Sequence, residues 1–282
     1  MATKEQLREL VDQMPAADRR GMLTENIDKE RIDTIAAQIA QGGKENILLL
    51  IAMLGPPGSE ENVKPQFALH AAVNHPLVIR DEKLRQEIAA AIAGQLGNKE
   101  LHPYNRNVLC QELQWAGRDE ACPALGAVLL DDDVTDAAAS ALVAIGGERA
   151  AAQLRTATAA AKGKARLNVI DALAALADVK SADTFRKAIA DDDREVRLAA
   201  VAGLARLGLA DTAQPLLAAA DKAAGWERSQ LTKSCLVLAE KLAARGDKSA
   251  ARSIYEQLKN NRTGKLESHV RDAADRGLAA IV

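Results

Sequence analysis

Two acidic triplets are the residues of this 282-residue chain that most resemble ligands for a cation. They occupy positions 131–133 and 191–193, and both read Asp-Asp-Asp. Neither is followed by the glycine and the distal glutamate of a calcium-binding loop. Each precedes a stretch with helical periodicity, where an aspartate accepts the first free backbone amides. We therefore interpret both triplets as helix N-caps and predict no metal site.

The histidines and cysteines are dispersed along the chain. His70 and His75 are five residues apart, which does not place them on one helical face, so they do not form a predicted metal pair. The three cysteines show no CxxC spacing, so the sequence predicts neither a disulfide framework nor a zinc site. We expect Cys110 and Cys122 to be small core residues in a reducing compartment; a bridge between them is the alternative.

The sequence lacks the common catalytic motifs. It contains no G-x-S-x-G, G-x-x-x-x-G-K or H-E-x-x-H, and no nucleophile has a partner close by in the sequence. We therefore predict no catalytic residue and no cofactor. Trp115 and Trp226 are expected to pack at helix ends; convergence of aromatic and acidic residues on a basic groove, as in a DNA glycosylase, is the alternative.

Composition limits the fold and the partners. Hydrophobic residues make up 48% of the chain but aromatic residues only 2%, so Ala, Leu, Val and Ile carry the apolar content, which favours an all-α protein. The net charge of −2 disfavours nucleic acid as a partner. No stretch is long and apolar enough to span a bilayer, and no secretory signal begins the chain. We expect a soluble cytoplasmic protein with no membrane partner.

One helical unit recurs along the chain. In residues 193–208, DREVRLAAVAGLARLG, Val196, Ala200 and Leu204 share one face, Asp193 is a predicted N-cap, and Gly208 a predicted C-cap. Small residues close the successive units at a nearly constant interval of roughly 30 residues, which is enough for two helices and two turns. These closing residues are Gly117, Gly146, Ala177 and Gly208. The buried positions of the second helices are Leu113, Leu142, Leu173, Leu204 and Leu278, preceded four residues earlier by Leu109, Ala138, Val169, Ala200 and Ala274. The predicted fold is an α-solenoid of stacked antiparallel helical hairpins.

This pattern resembles a known repeat family. The motif G-x-x-D-x-A-x-P-L-L at 208–217, with D-x-x-V-R-x-A-A-x-x-x-L-x-x-L-G at 193–208, is similar to HEAT repeats, particularly the short bacterial type of phycobilisome-lyase-like proteins. The resemblance covers residues 105–282 and implies a ladder between repeats, formed by a turn aspartate and the arginine after the helix-start valine. Matching residues are Asp192 with Arg197, then Arg166 and Arg271; Thr135 and Thr232 are departures that would interrupt the ladder.

The N-terminal part is less regular. Residues 1–104 are expected to form a cap and irregular helical repeats, and residues 105–282 regular repeats of one continuous solenoid. Helices are predicted at 4–14, 27–41, 45–55, 67–73, 83–96 and 105–116. Residues 56–62, PPGSEEN, are a predicted loop, and residues 74–81, NHPLVIRD, a predicted break between helices.

The second helices should line the concave face of the solenoid. Positions two and six residues after each helix start point outward, and the resulting surface is mixed in chemistry without a catalytic cluster. The residues that we predict to bind a partner there are Asn107, Gln111, Asp136, Ser140, Asp171, Leu198, Asp272 and Arg276.

The sequence thus favours a non-enzymatic scaffold or adaptor that binds a protein or peptide along this face. The alternative is an enzyme subunit resembling HEAT-like chromophore lyases or, less favoured, a HEAT-like DNA glycosylase. At the C-terminus the repeat register runs on to Val282 without a polar cap. We expect the chain to be a fragment of a longer solenoid; self-association through the C-terminal repeat is the alternative.

Overall fold

The computed structural model describes residues 3–15 and 28–281, and within these ranges the regular secondary structure is helical, as predicted. None of the described helices has the length and hydropathy needed to cross a membrane. The chain divides into two compact units, residues 1–160 and 161–282. The expected change from irregular to regular repeats at residue 104 stays a prediction.

The first unit contains helices α1 to α9. Their bounds are Lys4–Asp12, Lys29–Gln41, Gly43–Ala52, Val63–Ile79, Glu82–Ala93, Pro103–Ala116, Cys122–Ala127, Thr135–Ile145 and Gly147–Thr158. One layer consists of α2, α4, α6 and α8, each of which contacts the next. The second layer consists of the odd helices: α3 contacts both α1 and α5, and α7 contacts α9. Each odd helix from α1 to α7 also packs on the even helix that follows it, so the unit is a stack of helical hairpins.

The second unit contains helices α10 to α16. Their bounds are Gly163–Ala175, Ala182–Ala188, Arg194–Leu207, Ala213–Lys222, Gly225–Ala244, Lys248–Asn261 and Ser268–Ala280. The hairpins are α11 with α12, α13 with α14, and α15 with α16. The even helices α10, α12, α14 and α16 contact one another in turn, which gives this unit the same layered arrangement.

The predicted core register is confirmed in both units. Leu113, Leu142, Leu173 and Leu204 are completely buried. The residues predicted one helical turn before the leucines of the series are completely buried as well: Leu109, Ala138, Val169, Ala200 and Ala274. Leu278 differs, because it is only partly buried in α16. Large leucines at one level and mostly small residues one turn away let neighbouring helices approach closely.

The ends of α12 follow the prediction for residues 193–208. Asp193 Oδ1 accepts a hydrogen bond from the amide of Glu195 at 2.8 Å, and Gly208 ends the helix with φ 61° and ψ 44°. The capping prediction is wrong for residues 131–133, because α8 starts after Val134 without a side-chain cap. Asp131 instead makes contacts between repeats, described below.

The structure corrects the prediction for residues 63–81. Helix α4 begins at Val63 and continues without a break to Ile79, through Pro76 in the segment predicted to separate two helices. Pro76 is buried and extends the apolar stripe of Leu69 and Val73, so packing outweighs the lost backbone hydrogen bond. The helix ends at Arg80, whose φ is 59°.

Other predicted elements lie close to their expected bounds. The segment 56–62 is a loop with a short 3₁₀ turn at 60–62, as its prolines and glycine predict. Helix α2 starts at Lys29, while Ile27, the predicted start, lies outside the described residues, as does Val282.

Candidate functional site

Ion pairs between repeats hold the even helices side by side. Arg166 on α10 bonds through Nε and Nη2 to Asp191 Oδ2 at 2.7 and 2.6 Å, in the turn before α12. Arg106 on α6 pairs with Asp131 through Nη2 at 2.7 Å, while its Nε donates to the carbonyl of Leu96 at 2.7 Å. The arginine and the aspartate are separated by the same number of residues in both pairs. Each pair therefore links the second helix of one repeat to the turn that precedes the second helix of the next repeat. Arg106 is a member of the ladder that the sequence comparison of repeats missed.

The two acceptor aspartates have the same environment. In each triplet the carboxylate of the first aspartate accepts a hydrogen bond from the backbone amide of the third. The amide of Asp133 donates to Asp131 at 3.2 Å, and the amide of Asp193 donates to Asp191 at 3.0 Å. Burial alone would raise the pKa of Asp131, but the hydrogen bonds from Lys99 and Arg106 outweigh it and lower the pKa to about 2. The triplets therefore serve as acceptors of the ladder.

The predicted pairing of Asp192 with Arg197 exists only through the backbone. Arg197 Nη1 donates to the carbonyl oxygens of Asp191 and Asp192 at 2.9 and 3.0 Å. The carboxylate partner of Arg197 is Glu227 on α14, at 2.8 Å from Nη2. Arg271 likewise donates to backbone carbonyls, those of Arg262 and Gly264.

The predicted interruption at Thr232 is wrong, because the ladder residue of α14 is Arg228. Arg228 occupies the position equivalent to Arg197 in the next repeat, donates to the carbonyls of Ala220 and Asp221 at 3.3 Å, and pairs with Glu267 at 2.7 Å. Thr232 accepts a hydrogen bond from Arg262 Nε at 3.1 Å. At Thr135 the interruption is observed, since its buried hydroxyl makes no hydrogen bond with a described residue.

This lateral alignment creates a groove on the exposed side of α10, α12 and α14, which we call the α12 groove. It has a volume of about 470 Å³. Its floor consists of Leu198, Ala199, Ala202 and Ala205 of α12, and its walls include Leu167 and Asp171 of α10 and Trp226, Lys233 and Val237 of α14. Equivalent residues of successive repeats occupy the same level, so Asp171 and Lys233 stand on opposite walls with Ala202 between them.

Trp226 is the largest side chain of the groove, and it is 54% exposed. The guanidinium of Arg194 lies 5.2 Å from the centre of its ring. Arg194 is itself bonded to Glu195 Oε1 through Nε at 3.0 Å and Nη2 at 2.7 Å. A cation over one ring face restricts the indole while the rest of it stays accessible. The predicted packing of the two tryptophans is therefore wrong, and Trp115 is 58% exposed as well.

The residues predicted to bind a partner fall into three sets. Asp171 and Leu198 line the α12 groove. Asn107 donates to the carbonyls of Pro103 and Asp133 at 2.9 and 2.8 Å, so its amide group joins α6 to the turn before α8. The others are exposed on even helices outside the groove lining, and their role stays a prediction: Gln111, Asp136, Ser140, Asp272 and Arg276.

Sequence reasoning did not place several residues of the groove lining, among them Trp226, Lys233 and Arg206. The outward positions of α14 were not assigned, because Glu227 stands where earlier repeats have an apolar or small helix-start residue. Counting one repeat period onward from Glu195 and Ala202 would have placed Trp226 and Lys233 on the same face.

The first unit holds a histidine next to a nearly buried carboxylate. His70 Nδ1 lies 3.1 Å from Glu112 Oε2. The hydrogen bond to Glu112 raises the pKa of His70 against the opposite effect of burial. The three cysteines are buried free thiols, and burial raises the pKa of Cys110 and Cys235 to about 12. Cys110 and Cys122 are therefore core residues and are not bridged.

Comparison with known families agrees with this repeat geometry. The family model for HEAT repeats matches residues 156–235, which include α10 to α13, the first half of α14, and most of the α12 groove. The similarity to HEAT repeats is thus found in the part of the chain that holds the α12 groove. The match covers just over a quarter of the sequence and lies within the range expected from the motifs. No curated protein sequence matches the chain.

Several solved structures are similar to the chain at low sequence identity. An engineered protein is 18% identical, with a TM-score of 0.46 and coverage of 98% of this chain and 78% of its own. The complex of CpcE and CpcF of phycocyanin lyase from Nostoc sp. PCC7120 is 15% identical, with a TM-score of 0.36 and coverage of 100% and 96%. A designed armadillo repeat protein is 19% identical, with a TM-score of 0.28 and coverage of 98% and 100%. The HEAT assignment rests on the family match and on the repeat register.

Proposed function

We propose that this protein is a non-catalytic interaction module that binds a protein or peptide segment in the α12 groove. The observation that carries the proposal is Trp226, an exposed indole held by Arg194 beside an apolar floor of Leu198 and alanines. Tryptophan dominates the energetics of protein interfaces, especially where it lies in a well-packed apolar pocket. The guanidinium of Arg194 over one ring face restricts the indole before binding, which lowers the entropic cost of association.

The shape of the groove favours a chain-like ligand. Three parallel even helices line it, and its side chains extend from Trp226 to Val237 along α14, eleven residues or about 16 Å of helix. Repeat arrays offer extended surfaces of this kind, whereas small-molecule sites are enclosed cavities. A peptide segment of five residues spans such a length in an extended conformation.

The chemistry of the lining supports a binding role over a catalytic one. The hydroxyl of Ser234 donates to the carbonyl of Gln230 at 3.2 Å, and the carboxylate of Glu195 is bonded to Arg194. The Ser234 hydroxyl and the Glu195 carboxylate are therefore already engaged within their own helices. Incubation with a bilin or with alkylated DNA, followed by product analysis, tests the catalytic alternatives, and turnover with either would contradict the proposal.

Peptide selection provides the direct test. Phage-displayed peptides are selected on the intact protein, and the affinities of the recovered peptides are measured by fluorescence anisotropy. Trp226→Ala should weaken binding at least about tenfold, the loss expected for a central anchor. Trp115→Ala removes an equally exposed indole from the first unit and should change binding by less than about twofold. Peptides whose affinity does not depend on Trp226 would contradict the proposed site.

A further inference from the structure

We infer that the peptide bound in the α12 groove is acidic, with an apolar anchor at the Trp226 end and a carboxylate about three residues away, facing Lys233 and Arg206. This inference rests on the proposed function and adds the chemical class of the ligand. It follows from which charges in the groove are compensated, and from their spacing along the helices.

The uncompensated charge of the groove is mainly positive. Arg206 and Lys233 are exposed, line the groove, and form no ion pair with any residue in the described part of the chain. Glu195, in contrast, is neutralised by Arg194 at 2.7 Å. Asp171 on the opposite wall is the remaining charged lining residue. Two cations therefore face the ligand on the α12 and α14 side, against one anion on the α10 side.

The two cations flank one point of the groove. Arg206 of α12 is equivalent by the repeat register to Val237 of α14, which is one helical turn after Lys233. Their long side chains start from neighbouring helices about one turn apart, so both reach a group bound between them. A carboxylate there receives charge-assisted hydrogen bonds from a guanidinium and an ammonium group.

The spacing from the anchor sets the pattern of the peptide. Trp226 and Lys233 are seven residues apart on α14, which is about 10 Å along the helix axis. An extended peptide advances about 3.3 Å per residue, so about three residues separate a side chain next to Trp226 from one next to Lys233. The pattern is therefore an aromatic or aliphatic residue and an acidic residue three positions away.

The charge distribution also disfavours a polyanion. A nucleic-acid backbone places a negative charge at every nucleotide and requires a row of cations. In the α12 groove Asp171 stands at the level of Lys233 on the opposite wall, so a phosphate chain that fills the groove would meet its carboxylate. A single carboxylate between Lys233 and Arg206 lies on the α12 and α14 side, across the groove from the α10 wall that carries Asp171.

The test compares two fluorescein-labelled nine-residue peptide libraries. In one, Leu, Phe or Trp is accompanied by one Glu three residues away in either direction, and in the other Lys replaces this Glu. The intact protein should bind the acidic library at least about tenfold more tightly, and the double variant Arg206→Glu with Lys233→Glu should reverse this preference. The matched double variant Lys187→Glu with Arg252→Glu makes the same charge change on the odd helices α11 and α15, and should retain the wild-type preference.

The outcomes separate the inference from the proposed function. If both libraries bind equally and both need Trp226, the acidic class is wrong but the groove is a peptide site. If neither library binds, both proposals are overturned. A single-stranded oligonucleotide that binds as tightly as the acidic library, and loses binding in the same double variant, would overturn the peptide class.

Discussion

Arg228 is the counterpart of Arg197 in the next repeat and makes the same two kinds of contact. Each arginine donates to backbone carbonyls a few residues before its own helix, in the turn for Arg197 and at the end of α13 for Arg228, and each pairs with a glutamate of the following repeat. The interaction pattern of the repeat therefore continues into α14, the longest described helix. This relationship places Trp226 on the same face as Glu195, and so in the α12 groove.

The first prediction concerns Arg228→Ala. The change removes the hydrogen bonds that Arg228 donates to Glu267 and to two carbonyl groups, and we expect the free energy of unfolding to fall by about 1–3 kcal/mol. Urea denaturation followed by the fluorescence of Trp226 measures it, in a Trp115→Phe background where Trp226 is the only tryptophan. Arg206→Ala, an exposed position without an ion pair to the described residues, should cost less than about 0.5 kcal/mol. Equal losses in the two variants would contradict a structural role for the ladder.

The second prediction tests the buried register. Leu204 is completely buried, so Leu204→Ala should lower the free energy of unfolding by about 2–5 kcal/mol through lost burial and a cavity. Asp171→Ala in the same unit changes an exposed groove residue and should cost less than about 1 kcal/mol. The same fluorescence measurement compares them, and similar midpoints would show that the faces are assigned incorrectly.

The third prediction concerns two turns that close repeats. Ala177 has φ 49° and Gly208 has φ 61°, so both adopt the left-handed conformation that favours glycine. Ala177→Gly should raise the free energy of unfolding by up to about 1 kcal/mol, because relief of backbone strain exceeds the added entropy of the unfolded chain. Gly208→Ala should lower it by about 1 kcal/mol or more, since the new Cβ would lie 3.0 Å from Arg245 Nη1. Changes of the same sign in both variants would contradict this account.

These turns and helices also indicate how far sequence reasoning extends. The spacing of Leu204 and Ala200 predicted the buried face, because a helix determines its own faces through contacts a few residues apart. The prediction failed for α4, where burial of Pro76 outweighs its local cost as a helix breaker. The prediction also failed in α14, where the acidic residue Glu227 stands at the helix-start position that is apolar or small in earlier repeats. An interruption of the ladder was therefore predicted at Thr232, whereas Arg228 is the ladder residue.

The α12 groove was not predicted in full for a different reason. Asp171 and Leu198 were expected on the outward face from the register of their own helices. Trp226 belongs to the groove only because α14 is aligned with α12 through Arg197 and Glu227, which belong to different repeats. Such an alignment depends on contacts between repeats, and propensities or periodicity within one helix do not report it.

The fourth prediction concerns pH and the pair of His70 with Glu112. The pKa of His70 is raised in the folded protein, so the pair stabilises the first unit fully below the unfolded pKa of histidine, about 6.5. This contribution is lost as the pH rises through the higher folded pKa. His70 is about half exposed, so the effect on stability should be small, and NMR titration of the imidazole is the sensitive measurement. Glu112→Gln should lower the pKa of His70, and an unchanged value would contradict the assigned cause.

The accessibility of Trp226 in the complex tests the central claim most directly. The Trp115→Phe protein is titrated with a selected peptide that contains no tryptophan, while acrylamide quenching and the emission maximum of Trp226 are recorded. We predict that saturation shifts the emission to shorter wavelength and strongly reduces quenching, because the peptide covers the exposed indole. If anisotropy shows full binding while the emission and quenching of Trp226 stay unchanged, the α12 groove is not the binding site.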